Sequence, residues 1–301
     1  MITICECFAR DGLQHEPGFV PTVAKLAMLD RLAGCGFPRI EATSYAHPKA
    51  VPQFADADDV LRALRRHPGI AFKATCPNPR AVQRALAALE AGHRPEEISF
   101  LVSASESHSA RNLKRTRAEQ WENVAEMARL AGGAFRTLGT ISVALGCPLE
   151  GAVPEARVVE DARRFAGLGV RRIALGDTVG AGTPPSVRPL VAAPREAVPD
   201  AILIARFHDS RGTGLANTLA AVEAGATHLD GALGGTGGHP AGIAYGEGFT
   251  GTTCTEDLVA ALHAMGRETG LDTGRVLAAG REAERMPGRT LGSRVLRMGE
   301  A

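Results

Sequence analysis

Gly169-Val-Arg-Arg-Ile-Ala-Leu-Gly-Asp177 is the stretch on which the reading of the fold depends. A glycine ends one helical pattern, a short apolar run follows, and the run closes on a carboxylate. The same order recurs at Gly36-Phe-Pro-Arg-Ile-Glu41 and at Gly225-Ala-Thr-His-Leu-Asp230. Glycine tolerates the left-handed backbone just past a helix C-terminus, so each stretch reads as helix stop, strand and strand end. Working outward, strand patterns fall at 2–7, 39–44, 70–76, 97–103, 137–144, 172–177, 202–208 and 228–233. Amphipathic stretches lie between them near 21–33, 56–66, 79–91, 117–131, 154–167, 185–196 and 212–224, and an eighth follows at 256–267. Within 154–167, Val158, Ala162, Phe165 and Ala166 share one helical face. Eight strand–helix units without a linker predict a (β/α)8 TIM barrel, one domain over 1–301, with 270–301 as a C-terminal helical extension. An open doubly wound sheet would place a glycine-rich turn after the first strand. Here Gly234-Gly-Thr-Gly-Gly238 follows the last.

Composition narrows the function classes. The 301 residues are 45% hydrophobic and 22% charged, with 34 basic against 33 acidic side chains and a formal net charge of +1. That balance argues against a nucleic-acid or anionic-membrane surface, and no charged-then-apolar leader precedes Ile2-Thr3-Ile4. Six cysteines lack paired metal-ligand spacing, which predicts reduced thiols and a cytoplasmic location.

In a (β/α)8 barrel the chemistry sits at the C-terminal ends of the strands. Polar residues gather there: Glu6 and then Arg10-Asp11 after the first strand, Glu41 in the second, Asp177-Thr178 at the sixth, Arg206 and His208 in the seventh. A two-residue period puts Arg206 and His208 on one face and Phe207 on the other. Each strand-end acid has a plain alternative as a helix cap, Asp177 and Asp209 above all. Asp11 and His208 are far apart in the chain, yet a closed barrel brings them to one mouth, where they suit a divalent ion or an acid–base pair. The long segment from Gly234 to Gly251 reads as a functional loop carrying His239. Lys73 in the third strand is read as reaching the polar rim, with a Schiff-base role as the alternative.

At these residues the chain resembles the 3-hydroxy-3-methylglutaryl-CoA lyase family, within the larger group of metal-dependent barrel lyases and acyl-CoA condensing enzymes. The resemblance rests on Arg10-Asp-Gly-Leu-Gln14 with Glu16, Glu41-Ala-Thr-Ser44, Pro48-Lys49 with Val51-Pro-Gln53, and Ala144-Leu-Gly-Cys-Pro148 with Glu150-Gly151. It continues through Leu175-Gly-Asp-Thr178 with Gly180, His208-Asp209, Leu215-Ala-Asn-Thr218 and Thr255-Glu-Asp-Leu258. It implies retro-aldol cleavage of a short 3-hydroxyacyl-CoA bearing a second carboxylate, giving acetyl-CoA and a keto product. The same framework also fits a Claisen-type condensing enzyme, a keto-acid aldolase, or a barrel that binds an acyl-CoA or carboxylate without catalysis.

The resemblance implies that Arg10 stabilises the thioester enolate, that Asp11 and His208 are metal ligands, and that Glu41, Asp177 and Thr178 surround the ion and substrate; Glu41 is read as catalytic, and Glu6, Asp177 and Thr178 as substrate-binding. It also implies a homodimer or larger homo-oligomer. Three positions depart from the family pattern. The first position of the strand-seven His-x-His is Arg206, the mobile-loop cysteine is His239, and the later asparagine ligand is Thr252. A guanidinium cannot ligate a cation and repels one nearby, so the expected Mg²⁺ or Mn²⁺ site is weakened and Arg206 binds substrate instead. His239 is the expected proton-transfer group.

Overall fold

Eight parallel strands close into a barrel in chain order in the computed structural model, which describes residues 1–238 and 251–298. They are β1 (Thr3–Glu6), β2 (Arg39–Ser44), β3 (Ala71–Thr75), β4 (Glu97–Ser103), β5 (Arg136–Ser142), β6 (Arg172–Asp177), β7 (Ile202–Phe207) and β8 (His228–Gly231). β8 returns to β1 with Cys5 opposite Asp230 and Glu6 opposite Gly231. The helices are α1 (Thr22–Gly34), α2 (Ala57–Ala63), α3 (Pro79–Glu90), α4 (Glu106–Leu113), α5 (Arg117–Ala131), α6 (Glu155–Gly167), α7 (Pro184–Ala197), α8 (Gly214–Glu223) and α9 (Thr255–Ala264). The expected TIM barrel is therefore the fold. Residues past 270 add α10 (Thr273–Arg285), packed on α1 and α9, and the short α11 (Val295–Met298). Among the described residues no helix is long and apolar enough to cross a membrane.

Strand parity decides what each side chain does. The outer faces carry Ile4, Phe72, Phe100, Ile173, Leu175 and Phe207, all buried against the helical layer. Trp121 of α5 and Phe165 of α6 meet there with ring centroids 4.8 Å apart, and truncating either would cost about 3–5 kcal/mol. The inner face is different. It holds Arg39, Glu41, Lys73, Glu97, Arg206 and Asp230, all buried, beside a small apolar patch of Leu138, Ala174 and Ile204. Arg39 grips Glu97 through two bonds of 2.5 and 3.2 Å and lies 3.7 Å from Asp230. Buried charges persist only when paired in this way.

Two local features depart from the sequence expectation. β5 stops at Ser142 rather than 144, because Val143 adopts φ 52, an unfavourable backbone for a β-branched residue. Thr178 Oγ1 accepts the Val143 amide at 2.9 Å and the Gly176 carbonyl accepts that of Ala144, so strand β6 holds the turn in place. The additional helix α4 begins at Ser105, whose hydroxyl accepts the His108 amide, and ends on Lys114 in the left-handed region.

Candidate active site

β1 runs into a single π-helical turn, Phe8–Gly12, in which the Gly12 amide reaches back to the Cys7 carbonyl at 3.3 Å and the Leu13 amide to Phe8 at 3.0 Å. Such wide turns recur at functional sites. This one delivers two consecutive side chains, Arg10 and Asp11, to the same cavity. Arg10 Nη1 donates to Asp11 Oδ1 at 3.1 Å and Nη2 to Glu41 Oε2 at 2.8 Å, while its buried Nε has no partner among the described residues. Glu41 is held in turn by Thr75 Oγ1 at 2.7 Å and by Lys73 Nζ at 3.5 Å. Burial opposes the Glu41 charge, but Arg10, Lys73 and Arg206 overcome it and keep the carboxyl well below its ordinary pKa. An anion so firmly paired is a poor base, so the geometry fits Glu41 as a brace for Arg10 better than as the catalytic group expected from the sequence.

Arg206 sits beside Arg10, the two guanidinium groups sharing Asp11 and Glu41. Its Nη2 donates to Asp11 Oδ2 at 2.6 Å and its Nη1 to Asp230 Oδ2 at 3.0 Å, with Glu41 Oε2 at 3.7 Å. Thr252 Oγ1 donates to the same Asp11 Oδ2 at 3.0 Å. Burial disfavours both members of the Arg206–Asp11 pair. The surrounding carboxylates nevertheless hold Arg206 well above its ordinary pKa, and the two arginines hold Asp11 below its own. Gly237, at φ 94, lets the backbone pass over this cluster, since a Cβ there would lie 2.9 Å from both Asp11 Oδ2 and Thr252 Oγ1.

His208 is fixed by its Nδ1, 2.8 Å from the Asp177 carbonyl oxygen. A carbonyl only accepts, so Nδ1 carries the proton and Nε2 presents its lone pair. Burial lowers the imidazole pKa to about 4, so it is neutral at physiological pH. Nε2 is buried, makes no well-aligned hydrogen bond among the described residues, and has the Gly238 backbone beside it.

Arg10, Asp11, Glu41, Thr178, Arg206 and His208 thus converge on one cavity of about 380 Å³ at the C-terminal end of the barrel, within the range for small-molecule sites. The lining continues over the neutral Thr75, Ser99, Leu101 and Thr140 on β3–β5 and Leu113 of α4, with Arg115 just past that helix. Lys73 also lines the cavity, but Glu41 and Asp230 outweigh burial and favour its protonated form, which disfavours the Schiff-base alternative.

Two expected substrate ligands are elsewhere. Glu6 is fully buried outside the cavity lining, accepting from the amides of Phe8 and Leu233 at 2.8 and 3.0 Å and from Thr255 Oγ1 at 2.5 Å. Asp177 accepts from the amides of Ala181 and Gly182 at 2.8 and 2.9 Å and shapes the turn before α7. Both face away from the mouth because they occupy the outer parity of β1 and β6, so their assignment to substrate is corrected to a structural role. His239 lies outside the described residues.

Residues 1–282 match the HMGL-like family. The chain belongs to this family. It is 39% identical to the rat mitochondrial hydroxymethylglutaryl-CoA lyase over 282 residues, covering 93% of this chain and 83% of that protein. Its fold is similar to an HMG-CoA lyase of Acinetobacter baumannii in complex with coenzyme A and 3-methylmalate, with TM-score 0.92, 34% identity and coverage of 100% and 95% of the two chains. The HMG-CoA lyase of Brucella melitensis gives TM-score 0.88 at 36% identity, covering 95% and 99%. The family resemblance seen in the sequence is thereby established over nearly the whole length.

In this HMGL-like chain the donor set does not suit the divalent cation that the resemblance implies. Both Asp11 oxygens are occupied, Oδ1 by Arg10 and Oδ2 by Arg206 and Thr252, which leaves His208 Nε2 as the remaining donor of the expected pair. A divalent ion about 4 Å from the Arg206 guanidinium would face a repulsion of roughly 8 kcal/mol at an effective dielectric near 20. Among the described residues, three potential ligands do gather deeper, at Cys5, Cys7 and Asp230, within 4.8 Å of one another. That Asp230 carboxylate already contacts Arg206 and Lys73.

Proposed function

We propose that the protein is a carbon–carbon lyase that cleaves a short 3-hydroxyacyl-CoA carrying a second carboxylate, 3-hydroxy-3-methylglutaryl-CoA or an analogue, to acetyl-CoA and a keto acid. The observation that carries this reading is the placement of Arg10, braced by Asp11 and Glu41, in the cavity that His208 also lines. In the forward step Nε2 accepts the proton of the C3 hydroxyl. The O–H electron pair forms the new ketone, the C2–C3 bond breaks, and its pair moves to C2 and the thioester oxygen as an enolate. Arg10 stabilises that charge, as a preorganised donor aimed at a developing oxyanion does. Protonation at C2 then yields acetyl-CoA, with His239 as the donor.

Arg206 receives the substrate's second carboxylate and Thr178 lines the pocket beside it; the divalent-ion site is weakened relative to the family arrangement. The coenzyme A complex of the Acinetobacter relative supports a thioester ligand. A cytoplasmic homodimer or larger homo-oligomer completes the reading. Incubation with 3-hydroxy-3-methylglutaryl-CoA and a panel of related thioesters, following acetyl-CoA release, tests it. Thermal stabilisation by these thioesters without turnover would instead establish a binding barrel.

A further inference from the structure

We infer that the Arg206 guanidinium stands in the place of the divalent cation, so that the site is complete in charge without a metal and the enzyme works without one. The inference goes beyond a weakened site, and its activity arm rests on the lyase reading.

The argument is one of geometry and charge. Five cations and four carboxylates are connected by ion pairs: Arg10, Arg39, Lys73, Arg172 and Arg206 against Asp11, Glu41, Glu97 and Asp230, with Arg10 and Arg172 only partly buried. The groups around Arg206 itself, Arg10, Lys73 and Arg206 against Asp11, Glu41 and Asp230, sum to zero. An imidazole at position 206 would leave that group of six with one net negative charge, which a bound divalent ion would reverse. Here the guanidinium supplies its positive charge through the chain itself. Its fork spans Asp11 at 2.6 Å and Asp230 at 3.0 Å, bonds from one planar group that a spherical ion with water ligands would not reproduce. Thr252 Oγ1 donates to the same Asp11 Oδ2 at 3.0 Å, so that oxygen accepts two protein hydrogen bonds. The two departures from the family pattern therefore act together: both turn Asp11 from a ligand into an acceptor of protein hydrogen bonds.

For substrate, Arg206 and Arg10 both line the cavity side by side, sharing Asp11 and Glu41, so a hydroxyacid oxygen bound there meets two guanidinium groups.

The test uses the full-length protein and Mn²⁺ or Mg²⁺, ions that prefer oxygen ligands. Calorimetric titration of the wild type is expected to show no saturable Mn²⁺ binding, and cleavage of 3-hydroxy-3-methylglutaryl-CoA is expected to be unchanged by EDTA. Arg206→His combined with Thr252→Asn is expected to bind Mn²⁺ more than about 100-fold more tightly than the wild type. One-to-one Mn²⁺ binding by the wild type, or EDTA inactivation reversed by Mn²⁺, would overturn the inference. The wild-type titration decides the matter even if the double variant fails to fold. A wild type that binds no metal and turns over no thioester would overturn the lyase reading and leave the replacement of the cation standing.

Discussion

Arg206 Nη2 lies 2.6 Å from Asp11 Oδ2, although 195 residues separate the two in the chain. The pair is buried, and it joins the turn after the first strand to the seventh strand across the barrel mouth. Arg206 and Arg10 hold Asp11 ionised against the burial that opposes its charge.

Removing one partner therefore costs more than losing a surface contact. Asp11→Ala is expected to lower unfolding free energy by about 3–5 kcal/mol, because Arg206 and Arg10 both lose a buried counter-charge. Urea denaturation monitored by circular dichroism measures it; a change below about 0.5 kcal/mol would mean that the pair is solvated.

Arg10→Lys keeps a positive charge but loses the planar fork that spans Asp11 and Glu41. A fall in kcat on the order of 10²-fold is expected, with a smaller change in KM, as for removal of one oxyanion donor. Steady-state kinetics on the thioester substrate separate the two parameters.

His208→Gln removes the unprotonated ring nitrogen from the cavity while keeping an amide able to reach the Asp177 carbonyl. Loss of a general base typically reduces kcat by about 10²–10⁴-fold. Retention of more than a tenth of wild-type kcat would exclude His208 Nε2 as the base.

Glu6 gives a pH dependence of stability that is independent of catalysis. Burial pushes its pKa from 4.5 to about 8, so the folded state binds a proton that the unfolded state has released. The stabilisation is full below about pH 4.5 and is lost as pH rises to about 8, a change on the order of several kcal/mol. Glu6→Gln can still accept the Phe8 and Leu233 amides. It is expected to match the wild type near pH 4.5 and exceed it above about pH 8. Parallel unfolding curves across that range for both proteins would refute the assignment.

A core prediction follows from Gly139 on β5. A Cβ there would lie 2.4 Å from the Phe165 ring, so Gly139→Ala is expected to destabilise by about 1–3 kcal/mol. Adding Phe165→Leu should make the pair of changes less costly than their sum. Additive effects in a double-mutant cycle would show that the contact is not what limits the site.

The barrel was legible because glycine stops, short apolar runs and strand-end acids repeat in register, as at Gly169–Asp177 and Gly225–Asp230. The mouth was legible where strand parity was followed, as for Arg206 and His208 on β7. The same alternation places Glu6 with Ile4 and Asp177 with Leu175 on the outer faces; ranking acids by their strand-end position alone admits them wrongly. Helix α4 was not legible by periodicity, because Glu-Ser-His-Ser-Ala-Arg-Asn-Leu has no apolar stripe, and only its Ser105 cap marks it. The π-helical turn leaves no repeat to detect in five residues. Lys73–Glu41 joins the neighbouring strands β3 and β2, and Arg39–Glu97 reaches past β3 from β2 to β4, contacts that the period of a single strand does not reveal.

The interior charges of the first half balance by themselves. Strands β1–β4 and the turn after β1 contribute Arg10, Arg39 and Lys73 with Asp11, Glu41 and Glu97, while β6–β8 contribute Arg172 and Arg206 with Asp230. As the polypeptide leaves the ribosome, its first half can pair its own ionic groups before the second half exists, for Arg10 meets Asp11 and Glu41, and Arg39 meets Glu97, within that half. The nascent half-barrel need expose no unmatched interior charge while it waits, and the bond between Arg206 and Asp11 is left to latch the two halves together at the end of synthesis.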